Sequence, residues 1–431
     1  MKSITLAIGT VFAFVASVTV ASAQNSLAHP PNTSAGEGQE DPKTQIEVIN
    51  RRTQVQKSLF PSPIQSFRDR FSAGKQRLYE DTGLKLGFSF HTVYQYADDV
   101  LPGTADNGWA TDFDFVGTWE VLNRGKPNQG QFFFGVEGRW NYNGTGPQTI
   151  GLANIAAAGG SANSFERYTP TFILRNLYWE QGTPEAGWDY RIGKITTDAI
   201  LGLSRHLSPN ATFLSNAGTG LFVNAYADSG LGAVGTFYFN DAKGYVKGTI
   251  ADANGDRTDF GDIGEGDFHT AVEIGYKAFP RTDGAGYSKL TIWNTDGTSD
   301  GTPINGNTGS DGWGWSVLVE QELDNDGDIF FVGRWGESND KAAIYDYQGA
   351  LALLFYRPFN WFDSDAIGVQ YNYIDPAGEG TRIEESYELF YRFPLLPEVE
   401  TTIAYQFIDN PGNTREIDSA NVFSLRFTTS F

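Results

Sequence analysis

From Gly83 to its last residue the chain repeats one pattern, runs of roughly ten residues in which apolar side chains alternate with polar ones. In the first run Phe88, Phe90, Thr92, Tyr94 and Tyr96 share a face, opposed by Ser89, His91 and Gln95. The second sets Phe113, Phe115, Gly117 and Trp119 against Asp112, Asp114, Thr118 and Glu120. Phe132, Phe134, Val136, Trp140 and Tyr142 oppose Gln131, Glu137, Arg139 and Asn141. Near the end, Tyr387, Leu389, Tyr391 and Phe393 oppose Glu384, Ser386, Glu388 and Arg392. The last run places Phe423, Leu425, Phe427, Thr429 and Phe431 on one side and Ser424, Arg426, Thr428 and Ser430 on the other. A period of two is a strand, and about ten residues is what a tilted strand needs to cross a hydrocarbon layer. A soluble sandwich also alternates, but its strands are shorter and its polar face needs no aromatic ends. The pattern predicts an all-β fold, a transmembrane antiparallel β-barrel with its aromatic face toward lipid and its polar face toward a lumen.

Composition agrees with a wall that has two unlike faces. The chain holds 32 Phe, 20 Tyr, 10 Trp and 50 Gly, yet only 40% of its residues are hydrophobic. There is no Cys, so stability must come from strand pairing rather than from disulfides. A formal net charge of -21 argues against a nucleic-acid partner, because phosphate binding needs a basic surface. Acidic loops suit divalent cations beside anionic lipid headgroups, including lipopolysaccharide, or simply keep loops and lumen wet.

Strand parity tests the reading, since a single-chain bacterial barrel has an even count. About seventeen runs qualify at first pass, which is odd. Short turns fall at 123–130, 182–187, 324–327 and 394–399, and long loops at 144–170, 252–266 and 295–312. Working inward from both ends, the two sides clash only between Ile195 and Gly230. Assigning the weak run 220–227 to a long third loop gives about sixteen strands and restores the alternation of turns and loops. That loop, Thr196 to Ser229, carries Arg205, His206, Asn210, Asn216 and Asn224, and is expected to fold inward as the constriction.

The first residues, Met1-Lys2, an apolar run from Ile4 to Val20 and then Ala21-Ser22-Ala23, read as a signal peptide over 1–23. Residues 24–82 read as a periplasmic arm, disordered from Gln24 to about Pro63 and then helical from Ser66 to Asp81, with Ser66 as N-cap. The helix is placed as a cap or plug at the periplasmic mouth. The barrel proper occupies 83–431.

Several segments together resemble the carbohydrate-selective porins of the OprB type. They are Leu177-Tyr178-Trp179-Glu180-Gln181, Tyr190-Arg191-Ile192-Gly193-Lys194 and Ile329-Phe330-Phe331-Val332-Gly333-Arg334-Trp335-Gly336. Glu388-Leu389-Phe390-Tyr391-Arg392, Ala404-Tyr405-Gln406-Phe407-Ile408-Asp409-Asn410-Pro411-Gly412 and the final strand complete the set. The resemblance runs from about Phe67 to Phe431. It implies a bacterial outer-membrane channel of sixteen strands that passes small sugars passively, commonly as a homotrimer, with charged and polar groups at its narrowest part. A terminal strand closing on Phe431 resembles the assembly signal of outer-membrane barrels. By matching motif, Arg334, Arg191, Glu180, Glu388 and Arg392 become candidate sugar-path residues; direct alternation adds Glu137, Arg139 and Arg426, and the third loop adds Arg205. Sugar hydroxyls both donate and accept, so Arg and carboxylates facing one another replace lost hydration.

Other readings stay open at this level. The acidity, with Asp112, Asp114 and Glu120 facing the lumen, suits a cation-leaning general porin. A plugged structural or adhesive barrel is a second alternative. No cofactor is called for; Asp252, Asn254 and Asp256 form a weak calcium candidate that lacks the glycine and terminal glutamate of a helical calcium loop. Four His spread along the chain show no nucleophile–base signature, so no enzyme is expected. Strict alternation puts Lys194 on the lipid face with Tyr190 and Ile192, which calls for a bulge or for snorkelling at the rim.

Overall fold

A computed structural model describes residues 42–53, 57–142, 144, 146–147, 150–151, 172–256, 259–261, 263–281, 286–298, 308–339 and 341–431. The signal-peptide segment and the start of the arm lie outside these residues.

Sixteen antiparallel strands close on themselves, β1 pairing with β16 and every other strand with its sequence neighbours. They are β1 (Leu84–Ala97), β2 (Asn107–Leu122), β3 (Gly130–Asn141), β4 (Phe172–Thr183), β5 (Trp188–Ile195), β6 (Gly230–Phe239), β7 (Gly244–Asp252) and β8 (Phe268–Tyr276). The second half comprises β9 (Ser288–Thr295), β10 (Gly312–Glu322), β11 (Ile329–Ser338), β12 (Tyr345–Tyr356), β13 (Ala366–Pro376), β14 (Glu384–Leu396), β15 (Val399–Asp409) and β16 (Ser419–Ser430). Closure leaves no sheet edge, the condition for irregularity-free passage of a backbone through hydrocarbon. Among the described residues no helix is long and apolar enough to cross a membrane.

The two faces divide as the alternation requires. Outward residues form two aromatic girdles: Trp119, Phe132 and Trp188 near the rim of short turns, and Trp109, Tyr142 and Trp313 near the rim of long loops, all exposed. Inward residues are polar and buried, as in β16, where Ser424, Arg426, Thr428 and Ser430 all face the interior. The seam pairs Ser89 with Ser430 and Ala97 with Val422, and the Phe431 amide donates to the Phe88 carbonyl at 2.9 Å.

Ahead of the barrel the structure departs from expectation. Where a disordered arm is expected, Pro42–Arg52 forms helix α1. Isoleucines at Ile46 and Ile49 recur on one helical face and are buried, which supplies the packing a short helix needs. The second helix, α2, runs Gln65–Thr82, and its N-cap is Ile64 with no side-chain bond, not Ser66. Gln65 instead bonds Asp69 one turn on, at 2.8 Å. Left-handed Gly83 ends the helix. α2 lies at the turn rim. Phe67 and Phe71 pack on Phe431 at 6.3 Å each, and Phe71 meets Phe88 at 6.2 Å, while Arg68 is buried beside Glu398 at 3.7 Å.

Candidate functional site

The segment Thr196–Ser229 between β5 and β6 folds into the barrel, within the limits set by strand parity. It holds a short helix, α3 (Asn216–Thr219), and most of its residues are buried, among them Leu201, Leu214 and Ala225. A loop inside a barrel must satisfy its backbone polar groups without regular structure. Here the inner wall does so, nearly one strand at a time. Lys247 on β7 donates to the Ile200 carbonyl at 2.8 Å, and Glu273 on β8 accepts from the Gly202 amide at 2.6 Å. Lys289 on β9 donates to the Leu203 carbonyl, and Glu320 on β10 accepts from the Arg205 amide at 2.8 Å.

The loop then crosses to the far wall and doubles back. Arg426 on β16 donates to the carbonyls of Pro209 and Thr212 at 2.7 and 2.9 Å, and Arg392 on β14 to that of Ala211 at 3.1 Å. Glu388 accepts from the amides of Leu214 and Ser215 at 2.6 and 2.8 Å. Gln370 on β13 donates to the Gly218 carbonyl at 2.9 Å, and Gln348 on β12 donates to Ala217 and Gly220 and accepts from Phe222. Arg334 on β11 donates to the carbonyls of Thr219, at 3.1 Å, and Ala217. Apolar contacts lie beneath this ladder: Phe213 meets Phe390 edge-on at 4.9 Å, and His206 stacks on Phe330 at 3.9 Å.

The arc from β2 to β4 is different. There inward charges pair with one another. Arg139 contacts Asp112 at 3.4 Å and Glu137, and Arg175 bonds Glu137 at 2.6 Å and Asp198 of the loop at 2.8 Å. Asp114 accepts from Ser89 at 3.2 Å. Toward the turn rim the same arc carries Phe133 stacked on Tyr178 at 5.0 Å, with the Arg191 guanidinium 5.7 Å from the Tyr178 ring centre and 3.4 Å from Glu180. Glu180 also accepts from Gln131 at 3.1 Å.

All the strand residues singled out from sequence thus face inward, but in separate groups. Arg334, Glu388, Arg392 and Arg426 hold the loop backbone; Glu137 and Arg139 belong to the charged cluster; Glu180 and Arg191 form a buried pair nearer the turns. Arg205 is fixed through its amide, and its side chain is half-buried. Arg175 escaped the sequence reading because it occupies a bulge: β3 and β4 change register between Gly135 and Val136, which turns Arg175 inward beside Asn176. Period-two counting cannot find such a residue. Lys194 keeps the outward side that alternation gives it, opposite Leu177 and Leu231 in unbroken register, and is buried against the loop after β7, its ammonium donating to the Asp256 carbonyl at 2.9 Å and lying 5.4 Å from the Phe260 ring centre. Gly193 beside it has a φ of 142°, which favours glycine. An added Cβ there would lie 2.5 Å from the Leu177 carbonyl oxygen.

The acidic residues of the loops after β7 and β10 make local hydrogen bonds. Asp252 accepts from the Asn254 amide at 3.0 Å, and Asn254 donates to Asp267 at 3.1 Å. Asp324 accepts from the amides of Asp328 and Ile329, and Asp328 pairs with Arg357 at 2.6 Å.

A closed barrel with lipid-facing girdles, a polar interior and a long loop bound across its inner wall defines a diffusion channel of the porin class. A family model described as carbohydrate-selective porin, OprB family, matches residues 141–431, well over half of the chain. The chain belongs to that family. It is a passive channel for carbohydrates in a bacterial outer membrane, and not an enzyme. Among solved structures it is similar to Pseudomonas putida OprB at high pH, with 14% identity, a TM-score of 0.66, and coverage of 84% of this chain and 97% of that one. The low-pH structure of the same protein matches at 12% identity and a TM-score of 0.51, covering 84% and 96%. A mutant of the Rh. blastica porin matches at 10% identity and a TM-score of 0.45, covering 81% and 100%. No curated protein matches the chain.

Proposed function

We propose that sugars pass between the inward loop and the β2–β4 arc, where Arg139, Arg175, Glu137, Asp112 and Asp198 replace part of their hydration shell. The observation that carries this is accessibility. The side chains of Arg139 and Arg175, held by the buried carboxylates of Asp112 and Glu137, keep 12 and 19% of their surface and that of Asp198 keeps 23%, whereas Arg334, Arg392 and Arg426 keep 5, 1 and 0% and face loop carbonyls. Guanidinium groups donate and carboxylates accept, so alternating pairs meet a hydroxyl in both of its roles. Transit requires weak binding, which partly exposed guanidinium groups already paired with carboxylates favour.

The test is single-channel current in a planar bilayer titrated with glucose, a disaccharide and an uncharged polymer of matched size. Saturable block by sugar that weakens in Arg139→Ala and Arg175→Ala supports the site. Block that follows polymer size alone, unchanged in both variants, sinks it. A cation-leaning channel is the second reading, favoured by carboxylate oxygens of Asp112, Asp114 and Glu137 lying within 4.8 Å of one another; a reversal potential displaced strongly toward cations, and abolished by Asp112→Asn, would select it.

The rest of this reading concerns setting. The host is a Gram-negative bacterium, the short turns face the periplasm, and the long acidic loops face lipopolysaccharide through divalent cations. Residues 1–23 are removed as a signal peptide, leaving a mature chain from Gln24, and the barrels associate as trimers. The apolar run before Ala21-Ser22-Ala23 and the asymmetry of turn and loop lengths support this. Terminal sequencing of the mature protein, surface proteolysis of whole cells and native mass measurement test each point in turn.

A further inference from the structure

The lumen has a second occupant besides the loop. Helix α1 lies against the inner face of β1, β2 and β16, and four observations tie it there. Ile46 and Ile49 are buried in the same apolar cluster as Val116, Phe133 and Tyr178, all inward residues of the wall. Gly87, inward on β1, lies directly under the helix: a Cβ on it would sit 3.4 Å from the Ile49 Cβ and 3.2 Å from its Cδ1. Arg52, in the last turn, reaches Glu400 on β15 at 3.4 Å. Lys75 of α2 donates to Asn50 at 2.8 Å, anchoring the helix from the rim.

Glu400 also faces Arg392 at 3.8 Å, and Arg392 in turn holds the Ala211 carbonyl of the loop. The helix and the loop therefore share a wall contact. Withdrawal of α1 would expose Ile46, Ile49, Val116 and Phe133 to a water-filled channel, a penalty that favours its residence. Gly87 and Val116 lie closer to the turn rim than Asp112 does, so α1 sits beyond the charged cluster along the same path.

We propose that α1 is a resident, pore-lining element, a second constriction in series with the loop, and that it sets the largest sugar the channel admits. The Arg52–Glu400 pair and the Ile49–Gly87 contact hold it in place. The inference needs only that the lumen is the transport path, whichever residues bind sugar there.

The chain has no Cys, so the double variant Ile49→Cys with Gly87→Cys introduces a single possible disulfide, at a Cβ separation close to the usual range of about 3.5–4.5 Å. Oxidation in isolated outer membranes is expected to cross-link it fully and to leave single-channel conductance equal to that of the reduced form. Arg52→Ala is expected to raise conductance at least about twofold and to admit a trisaccharide in liposome swelling, with Arg52→Lys keeping wild-type behaviour. Three results overturn the proposal: no cross-link in a barrel that is otherwise folded, conductance that collapses on cross-linking, or an exclusion size that Arg52→Ala leaves unchanged. Loss of sugar block in Arg139→Ala is a separate readout and reports on the charged cluster alone.

Discussion

The β2–β4 arc and the arc from β7 to β16 both carry inward Arg, Glu and Gln, yet they do different work. On the larger arc Lys247, Glu273, Lys289, Glu320, Arg334, Gln348, Gln370, Glu388, Arg392 and Arg426 each meet a backbone amide or carbonyl of the loop. On the smaller arc the charges meet one another, and Arg139, Arg175 and Asp198 keep partial exposure. A backbone partner leaves a side chain nothing to offer a solute, whereas a hydrated ion pair can exchange one contact for another at little cost. Identity and direction alone do not make a lumenal arginine a selectivity residue; the partner does.

The largest effect should come from the loop-bearing arc. Glu388→Ala removes the acceptor of two buried amides, at a cost of about 3 kcal/mol, and is expected to release the loop; single-channel conductance should rise and the segment around Leu214 should become protease-sensitive. Unchanged conductance with a protected loop would erase the distinction between the arcs. Gly193→Ala, at the point where β5 leads into the loop, should destabilise the barrel by about 1–3 kcal/mol, read as a lower temperature of heat-modified migration. On the smaller arc, Arg175→Ala should weaken sugar block about tenfold, equal to about 1.4 kcal/mol, with open-channel conductance little changed; a conductance jump like that of Glu388→Ala would place Arg175 among the loop anchors instead. The smallest effect concerns the rim. Burial lowers the Lys75 ammonium from 10.5 to about 8. The folded state thus holds that proton less tightly than the unfolded one, so docking of α1 on α2 should strengthen as pH rises from about 8 to 10.5 and be weakest below 8. Amide exchange across Pro42–Arg52, corrected for intrinsic rates, should show this in the native protein and not in Lys75→Gln.

Much of the wall was readable in advance. The pairs Phe88/Ser89 and Phe427/Thr428 sort to opposite faces because side-chain direction in a strand depends only on position parity, a local property. Even the bounds of the inward loop, Thr196 and Ser229, follow from parity and loop length. What escaped is non-local. Arg175 leaves the alternation at a bulge, and a bulge has no period. Helix α1 hides in a polar, proline-rich stretch because its stability comes from Gly87 and Val116, which belong to other segments of the chain.

The sequence by itself determined that this chain crosses a membrane as strands, which face of each strand meets lipid, and which segment turns inward, since these rest on neighbours along the chain. Only the tertiary structure decided that Arg334, Glu388, Arg392 and Arg426 hold the loop while Arg139 and Arg175 keep partial exposure, and that α1 lies inside. An inward side chain finds its partner only after the barrel closes and the loop crosses it, and closure brings together residues as distant as Pro209 and Arg426.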